Sequence, residues 1–156
     1  MADSVITDAL RALIGVDTDE RVAEVTSTGC RLFARAVGHT DLIYYDESEA
    51  HARGYRSIVA PPGYLGTPVY APGAPDTPAT AGPEGTPYPR VLNGGTTYEY
   101  FDTLTAGDVI TSKRRITGFQ EREGSIGPML LTSSETTFRR QDGTVVAKLY
   151  ATAINY

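Results

Sequence analysis

Four segments in the second half of the chain, 96–101, 108–119, 128–139 and 144–155, are rich in Thr, Tyr, Val and Ile and are divided by short glycine-containing links. β-branched and aromatic side chains suit a pleated, half-buried surface. Links this short can only return the chain to a neighbour running the other way. The separators are 105–107, 122–127 and 141–143, and the last carries the Asp142-Gly143 pair favoured in tight hairpin turns. One antiparallel meander is therefore predicted. Ahead of it the period changes. Residues 4–14 place Val5, Ile6, Leu10, Leu13 and Ile14 on one helical face, with Gly15 as a stop, whereas 21–25 alternates only weakly around Val22 and Val25. Thr26-Ser27-Thr28 offer N-caps for a helix carrying Cys30, Leu32, Phe33, Ala36 and Val37, ended by Gly38. Asp46 announces a second short helix over 47–53, with Glu49 three residues later and Gly54 beyond its end. Helices followed by a meander predict an α+β fold with helices on one face of an antiparallel sheet.

Between these halves, from Pro61 to Arg90, lie nine of the ten prolines. Proline cannot donate to a strand ladder, so 71–90 is read as an excursion, with 71–88 a surface flap near a ligand groove or subunit seam. The apolar run 57–60 enters Pro61-Pro62-Gly63. Since proline is tolerated in a first helical turn, a central helix is predicted near 63–70.

Composition narrows the functions. A chain of 156 residues suits one domain spanning 1–156. A net charge of −5 repels a phosphate backbone, and the pairs Arg114-Arg115 and Arg139-Arg140 are too short to reverse that, so nucleic-acid binding is excluded. Cys30 is the only cysteine, which forbids an internal disulfide, makes the reducing cytoplasm the default compartment and suits a buried packing role. No export signal is expected from the Met1-Ala2-Asp3 opening, and no run approaches the roughly 20 apolar residues of a membrane span. There is no GxxxxGK[ST] loop, no GxGxxG after a strand and no Gly-x-Ser-x-Gly elbow. His39, His51 and Cys30 do not fall at zinc-site spacing. No cofactor and no metal are expected.

The series 33–38 (Phe-Ala-Arg-Ala-Val-Gly), then Asp41 and Tyr44, then 54–62 (Gly-Tyr-Arg-Ser-Ile-Val-Ala-Pro-Pro), resembles the N-terminal fatty-acid-synthase-like dehydratase domain of the MaoC group. Gly94-Gly95 with Tyr98-Glu99-Tyr100, followed by Ala106-Gly107-Asp108, is similar to that domain's later half, so the resemblance covers nearly the whole chain. It implies a hot-dog fold, a curved antiparallel sheet wrapped around a central α-helix. It also implies (R)-specific enoyl-thioester hydration or 3-hydroxyacyl-thioester dehydration. Active members use an aspartate and a histidine in a Gly-Asp-x-Asn-Pro-x-His segment. Laid on Gly38, that motif puts His39 at the aspartate, Asp41 at the asparagine, Leu42 at the proline and Tyr44 at the histidine. A tyrosine near pKa 10 is a poor base at pH 7 beside an imidazole near 6.5. The usual acid/base pair is missing, and His39 with Asp41 is the substitute the sequence offers. The family's thioester carbonyl is polarised by N–H groups at the central helix's start, here Ala60-Pro61-Pro62-Gly63, where two prolines remove two donors, so either Gly63 or Tyr64 supplies them or the helix serves only packing. The expected catalytic positions are thus His39, Asp41 and Tyr44. The expected substrate-binding positions are Val59, Ala60, Pro62, Gly63, Tyr64, Gly94 and Gly95. Tyr44, Tyr45, Tyr55, Tyr64 and Tyr70 either line an acyl channel or pack the sheet and loops.

A domain frame without its catalytic pair implies the non-catalytic half of a heteromeric hydratase or dehydratase. Its expected partner is a catalytic MaoC-like hot-dog subunit, in a heterodimer or heterotetramer joined sheet edge to sheet edge, and its ligand an acyl thioester of coenzyme A or acyl carrier protein. The alternatives are a non-enzymatic homodimer that binds an acyl ligand, a self-sufficient hydratase using His39, and a thioesterase using Asp41 or Glu99.

Overall fold

Helix starts are fixed by side chains that satisfy the first unpaired backbone N–H groups. The computed structural model describes residues 4–18, 20–70, 72–73, 85–125 and 127–156. Thr7 caps α1 (Asp8–Ala12) by accepting from Leu10 N at 3.2 Å. Thr26 caps α2 (Ser27–Ala36) through Gly29 N at 3.0 Å. Asp46 caps α3 (Glu47–Ala52), accepting from Ser48 N and Glu49 N at 2.7 and 3.1 Å. Each such cap is worth about 1 kcal/mol. Gly38 and Gly54 follow α2 and α3 at φ of +79° and +86°, the left-handed ending that a Cβ would strain. The three helices predicted ahead of the prolines are present, and α1 is shorter than the 4–14 pattern suggested.

The strands β1 (Arg21–Glu24), β2 (Thr67–Pro68), β3 (Val91–Tyr100), β4 (Val109–Gly124), β5 (Gly127–Arg140) and β6 (Val145–Asn155) form one sheet in the order β2-β1-β4-β5-β6-β3. Every pairing is antiparallel, and the sheet curls into a half-barrel. The predicted meander is there, with longer strands: β3 begins at Val91 and runs through Gly94-Gly95, and β4 continues to Gly124. Register shifts between Asn93 and Gly95 and between Ile116 and Gly118 add the extra residues that bend a strand and deepen its twist. Alternation then divides the faces. On β5, Leu130, Thr132 and Ser134 are buried, while Glu135 faces the other way and meets Lys148 at 3.2 Å. α2 contributes Cys30 and Ala34, both fully buried, and Cys30 joins Val25, Ile58, Tyr64, Leu104, Ile110 and Val146 in the core.

The helix predicted near 63–70 is absent. Gly63 and Gly66 stand at φ of +94° and +92°, outside any right-handed helix. Pro68 in such a helix would meet the carbonyl of Tyr64, four residues back. The segment instead turns at its glycines and adds β2 to the edge of β1, pairing Ala23 with Pro68 and Glu24 with Thr67. Of the predicted flap, residue 71 and residues 74–84 lie outside the described residues.

One carboxylate ties the sheet to the segment that precedes β2. The Asp108 side chain is 0% exposed and accepts from Arg56 Nη2 with both oxygens at 3.0 Å and from Thr105 N at 2.9 Å. Asp108→Ala strands those donors. Breaking a buried pair costs about 3–5 kcal/mol, and because Arg56 remains partly in water the loss in urea unfolding is expected at the lower end. A change under about 1 kcal/mol would refute this tie. The fully buried Cys30 thiol is pushed up to about 11 by burial. Thiol reagents at pH 8 are expected to label it only after denaturant is added, and rapid labelling of the native protein would contradict that packing.

Candidate functional site

A groove of about 300 Å³ opens beside the turn at 61–63, where a helix start was expected. Val59, Ala60, Pro61 and Pro62 form one wall; Tyr100, Asp102, Thr103 and Leu104 form another; Ile43, Tyr44, Tyr55 and Tyr64 close it. Local structure sets each wall. Ile43 and Tyr44 project from a single 3₁₀ turn, Leu42–Tyr44, whose first N–H groups are met by Asp41. Ala60 is anchored by its N–H to Leu104 O at 2.9 Å, and Val59 by its N–H to Ile43 O at 3.0 Å. Tyr64 tips into the core, its ring 5.6 Å from that of Phe33 and its hydroxyl 3.0 Å from Thr67 Oγ1.

The groove is electrically quiet. Its one carboxylate, Asp102, is bound by Arg140 Nη1 at 2.9 Å. Burial raises the Tyr44 phenol above its ordinary value, and the charge of Asp41 and the neighbouring Tyr55 push the same way. Burial also raises Tyr100, against the opposing pull of the Gly63 N–H. Both phenols are protonated at neutral pH and can donate a hydrogen bond but not serve as bases.

The expected catalytic positions part company. Asp41 is held by Arg53 Nη1, 2.9 and 3.0 Å from its two oxygens, and accepts from Ile43 N at 3.2 Å. No hydrogen bond joins it to His39 among the described residues. The His39 ring instead lies on Tyr44, centroids 5.2 Å apart, and its carbonyl accepts from the Tyr45 hydroxyl at 2.6 Å. Of the three, only Tyr44 lines the groove. His51, at the surface, donates Nε2–H to Arg56 O at 3.0 Å. Glu99 points to the opposite face of β3 from Tyr100, and there it accepts from the Tyr150 hydroxyl at 3.3 Å.

The expected substrate-binding positions divide as well. Val59, Ala60, Pro62 and Tyr64 line the groove, and Gly63 touches it only through the N–H that reaches the lining Tyr100. Gly94 and Gly95 do not reach it. They make the bulge of β3, where a Cβ on Gly94 would come within 2.8 Å of Ile154 Cγ1 and Gly95 adopts φ +143°. Of the two carbonyl donors left after the prolines, the Gly63 N–H is already spent on the Tyr100 hydroxyl at 2.6 Å and the Tyr64 N–H on Pro61 O at 2.9 Å. Sequence reasoning missed Tyr100 as a site residue. Its only signal was the alternation Tyr98-x-Tyr100, which puts two stacked rings on one face of a strand. Among the described residues no cluster of His, Cys, Asp and Glu is suited to a metal, and no helix is long and apolar enough to cross a membrane.

Comparison with known proteins places this geometry. The family model described as "FAS1-like, dehydratase domain region" matches residues 12–149. A UPF0336 protein of Thermobifida fusca is 33% identical over 113 residues, 72% of this chain and 71% of that one. Among solved structures, the ChsH1-ChsH2 complex of Mycobacterium tuberculosis is similar with a TM-score of 0.70 at 17% identity, covering 90% of this chain and 88% of that one. The HadBC 3R-hydroxyacyl-ACP dehydratase complex of the same organism gives 0.68 at 20% identity, covering 92% and 97%. These likenesses are of fold.

If Asp41 is a cap and an ion-pair partner rather than an acid/base group, Asp41→Ala loses about 1 kcal/mol of stability from the cap, with little added by the exposed pair. His39→Ala is expected to stay within about 1 kcal/mol of wild type, since only a ring contact is lost. Urea titration of both variants checks the ranking, and a reversed order would place His39, not Asp41, at the structural centre of this loop.

Proposed function

We propose that this chain, which belongs to the FAS1-like dehydratase domain family, is the non-catalytic half of a two-subunit enoyl-thioester hydratase or 3-hydroxyacyl-thioester dehydratase. The observation that carries the reading is a groove kept in shape without a base. When the family's motif is laid on the chain, its histidine position falls on Tyr44, whose phenol is protonated at neutral pH, and Asp41 is committed to Arg53 outside the groove. Apolar walls with phenols at their rim suit the neutral acyl portion of a thioester of coenzyme A or acyl carrier protein. Residues 1–156 then act as one domain, and a single buried, reduced thiol is compatible with work in the cytoplasm.

The free edge supports a hot-dog partner. Among the described residues β3 pairs only with β6, so one side of its backbone has no strand partner there, and Leu92, Tyr98, Tyr100 and Phe101 beside it are exposed. An edge of this length and apolarity invites strand addition. The ChsH1-ChsH2 and HadBC structures are complexes by their own descriptions, which favours a catalytic MaoC-like subunit in a heterodimer or heterotetramer. The same edge can meet a second copy, and a homodimer binding an acyl ligand without turnover is the second reading.

Crotonyl-CoA hydration by the chain alone is expected to be negligible. Adding a MaoC-like partner that bears the Asp and His pair should raise the rate at least about 100-fold, the lower range for a positioned acid/base group. The partner's own rate must be measured beside the mixture. Robust turnover by the isolated chain that vanishes in His39→Ala would overturn the helper role in favour of a self-sufficient enzyme, and hydrolysis without hydration would point to a thioesterase.

A further inference from the structure

The backbone donors of residues 59–64 are all committed. Pro61 and Pro62 have none; Val59 N–H goes to Ile43 O, Ala60 N–H to Leu104 O and Tyr64 N–H to Pro61 O, at 3.0, 2.9 and 2.9 Å. Gly63 N–H goes to Tyr100 Oη at 2.6 Å. A carbonyl oxygen entering here meets no free peptide N–H from 59–64. It meets Tyr100. A phenol carries one proton and two acceptor lone pairs. Gly63 occupies a lone pair and cannot take the proton, and no other described residue accepts it. Accepting a short hydrogen bond polarises the O–H and strengthens it as a donor.

We infer that the Tyr100 hydroxyl is the group that binds the carbonyl oxygen of an acyl thioester in this groove, with Gly63 acting through it as a positioning residue. The inference rests on the acyl-thioester reading above. The turn at Gly63, with φ +94°, aims the peptide N–H at the groove-lining Tyr100, and the edge strand brings the phenol to meet it. Burial keeps the phenol protonated, and no cation competes for the carbonyl, because Arg140 is engaged by Asp102 and Asp142. Tyr64 is unsuited to the task, since its hydroxyl is packed against Gly29 and paired with Thr67.

The test compares hexanoyl-CoA with S-hexyl-CoA, which keeps the chain and carrier but lacks the carbonyl. By calorimetric titration the full chain is expected to bind the thioester about fivefold to tenfold more tightly, the value of one hydrogen bond. Tyr100→Phe should bind both ligands alike, and Tyr44→Phe, which removes a different phenol from the groove, should keep the preference. Isotope-edited infrared spectra of bound [1-¹³C]hexanoyl-CoA add a readout that packing does not move. The carbonyl band should shift to lower wavenumber when Tyr100 is replaced by the more acidic 3-fluorotyrosine, a variant that retains the ring and its contacts. If wild type binds neither ligand, the acyl-thioester reading fails and this inference with it. If wild type prefers the thioester and Tyr100→Phe keeps that preference, or Tyr44→Phe alone abolishes it, the Tyr100 role fails while the reading stands.

Discussion

The buried carboxylate of Asp108 is the contact on which the rest of the architecture leans. An ionised group out of water is tolerated only when its lone pairs are met, and here Arg56 and the Thr105 N–H meet them. The same five-residue turn, 104–108, also receives or gives backbone bonds on every side. Ala106 N–H reaches Ile58 O, Gly107 N–H reaches Val25 O, Val25 N–H reaches Asp108 O and Ala60 N–H reaches Leu104 O. The end of β1, the start of β4 and the wall of the groove therefore meet at one place. The arrangement of the groove is a consequence of that junction rather than of a helix beneath it.

The groove exists because glycine and proline displaced a helix. With Gly63 and Gly66 in left-handed conformations and Pro68 without an N–H donor, residues 61–68 form no helix and end as a short edge strand. Tyr64 swings into the core and sets its hydroxyl against α2, where Gly29 leaves room that any Cβ would occupy. What remains open is lined by apolar surface and phenols, with no free charge, and a neutral ligand is favoured there over an ionic one.

Much of this was legible because it is local. Thr26, Asp46, Gly38 and Gly54 are cap residues whose partners lie within one turn, and the structure puts each where the sequence placed it. The hairpin at Asp142-Gly143 is equally self-contained: Asp142 accepts from Thr144 N at 2.9 Å and from Arg140 Nε at 3.0 Å. Misreadings arose where a local signal had a distant competitor. Pro61-Pro62 resembled a helix start, but the glycines after it and the free edge of β1 decided the conformation. Asp41 looked like a partner for His39, two residues away, until α3 brought Arg53 to it from 12 positions on. The Gly63–Tyr100 bond spans 37 positions, and nothing within either neighbourhood announces the other.

That bond joins two properties that the sequence presents separately. β3 is an edge of the sheet among the described residues, and Tyr100 is the last residue of that edge and also a wall of the groove. Tyr98 stacks beside it at 6.1 Å on the same face. A strand added to β3 would pair with backbone groups on either side of these rings and restrict their motion. Fixing an aromatic side chain before a ligand arrives removes part of the ordering cost of binding. On the proposed reading, then, assembly does more for this subunit than bring it near a base. It also restrains the phenol that meets Gly63 at the groove wall, so ligand affinity and subunit contact would be coupled through a single strand.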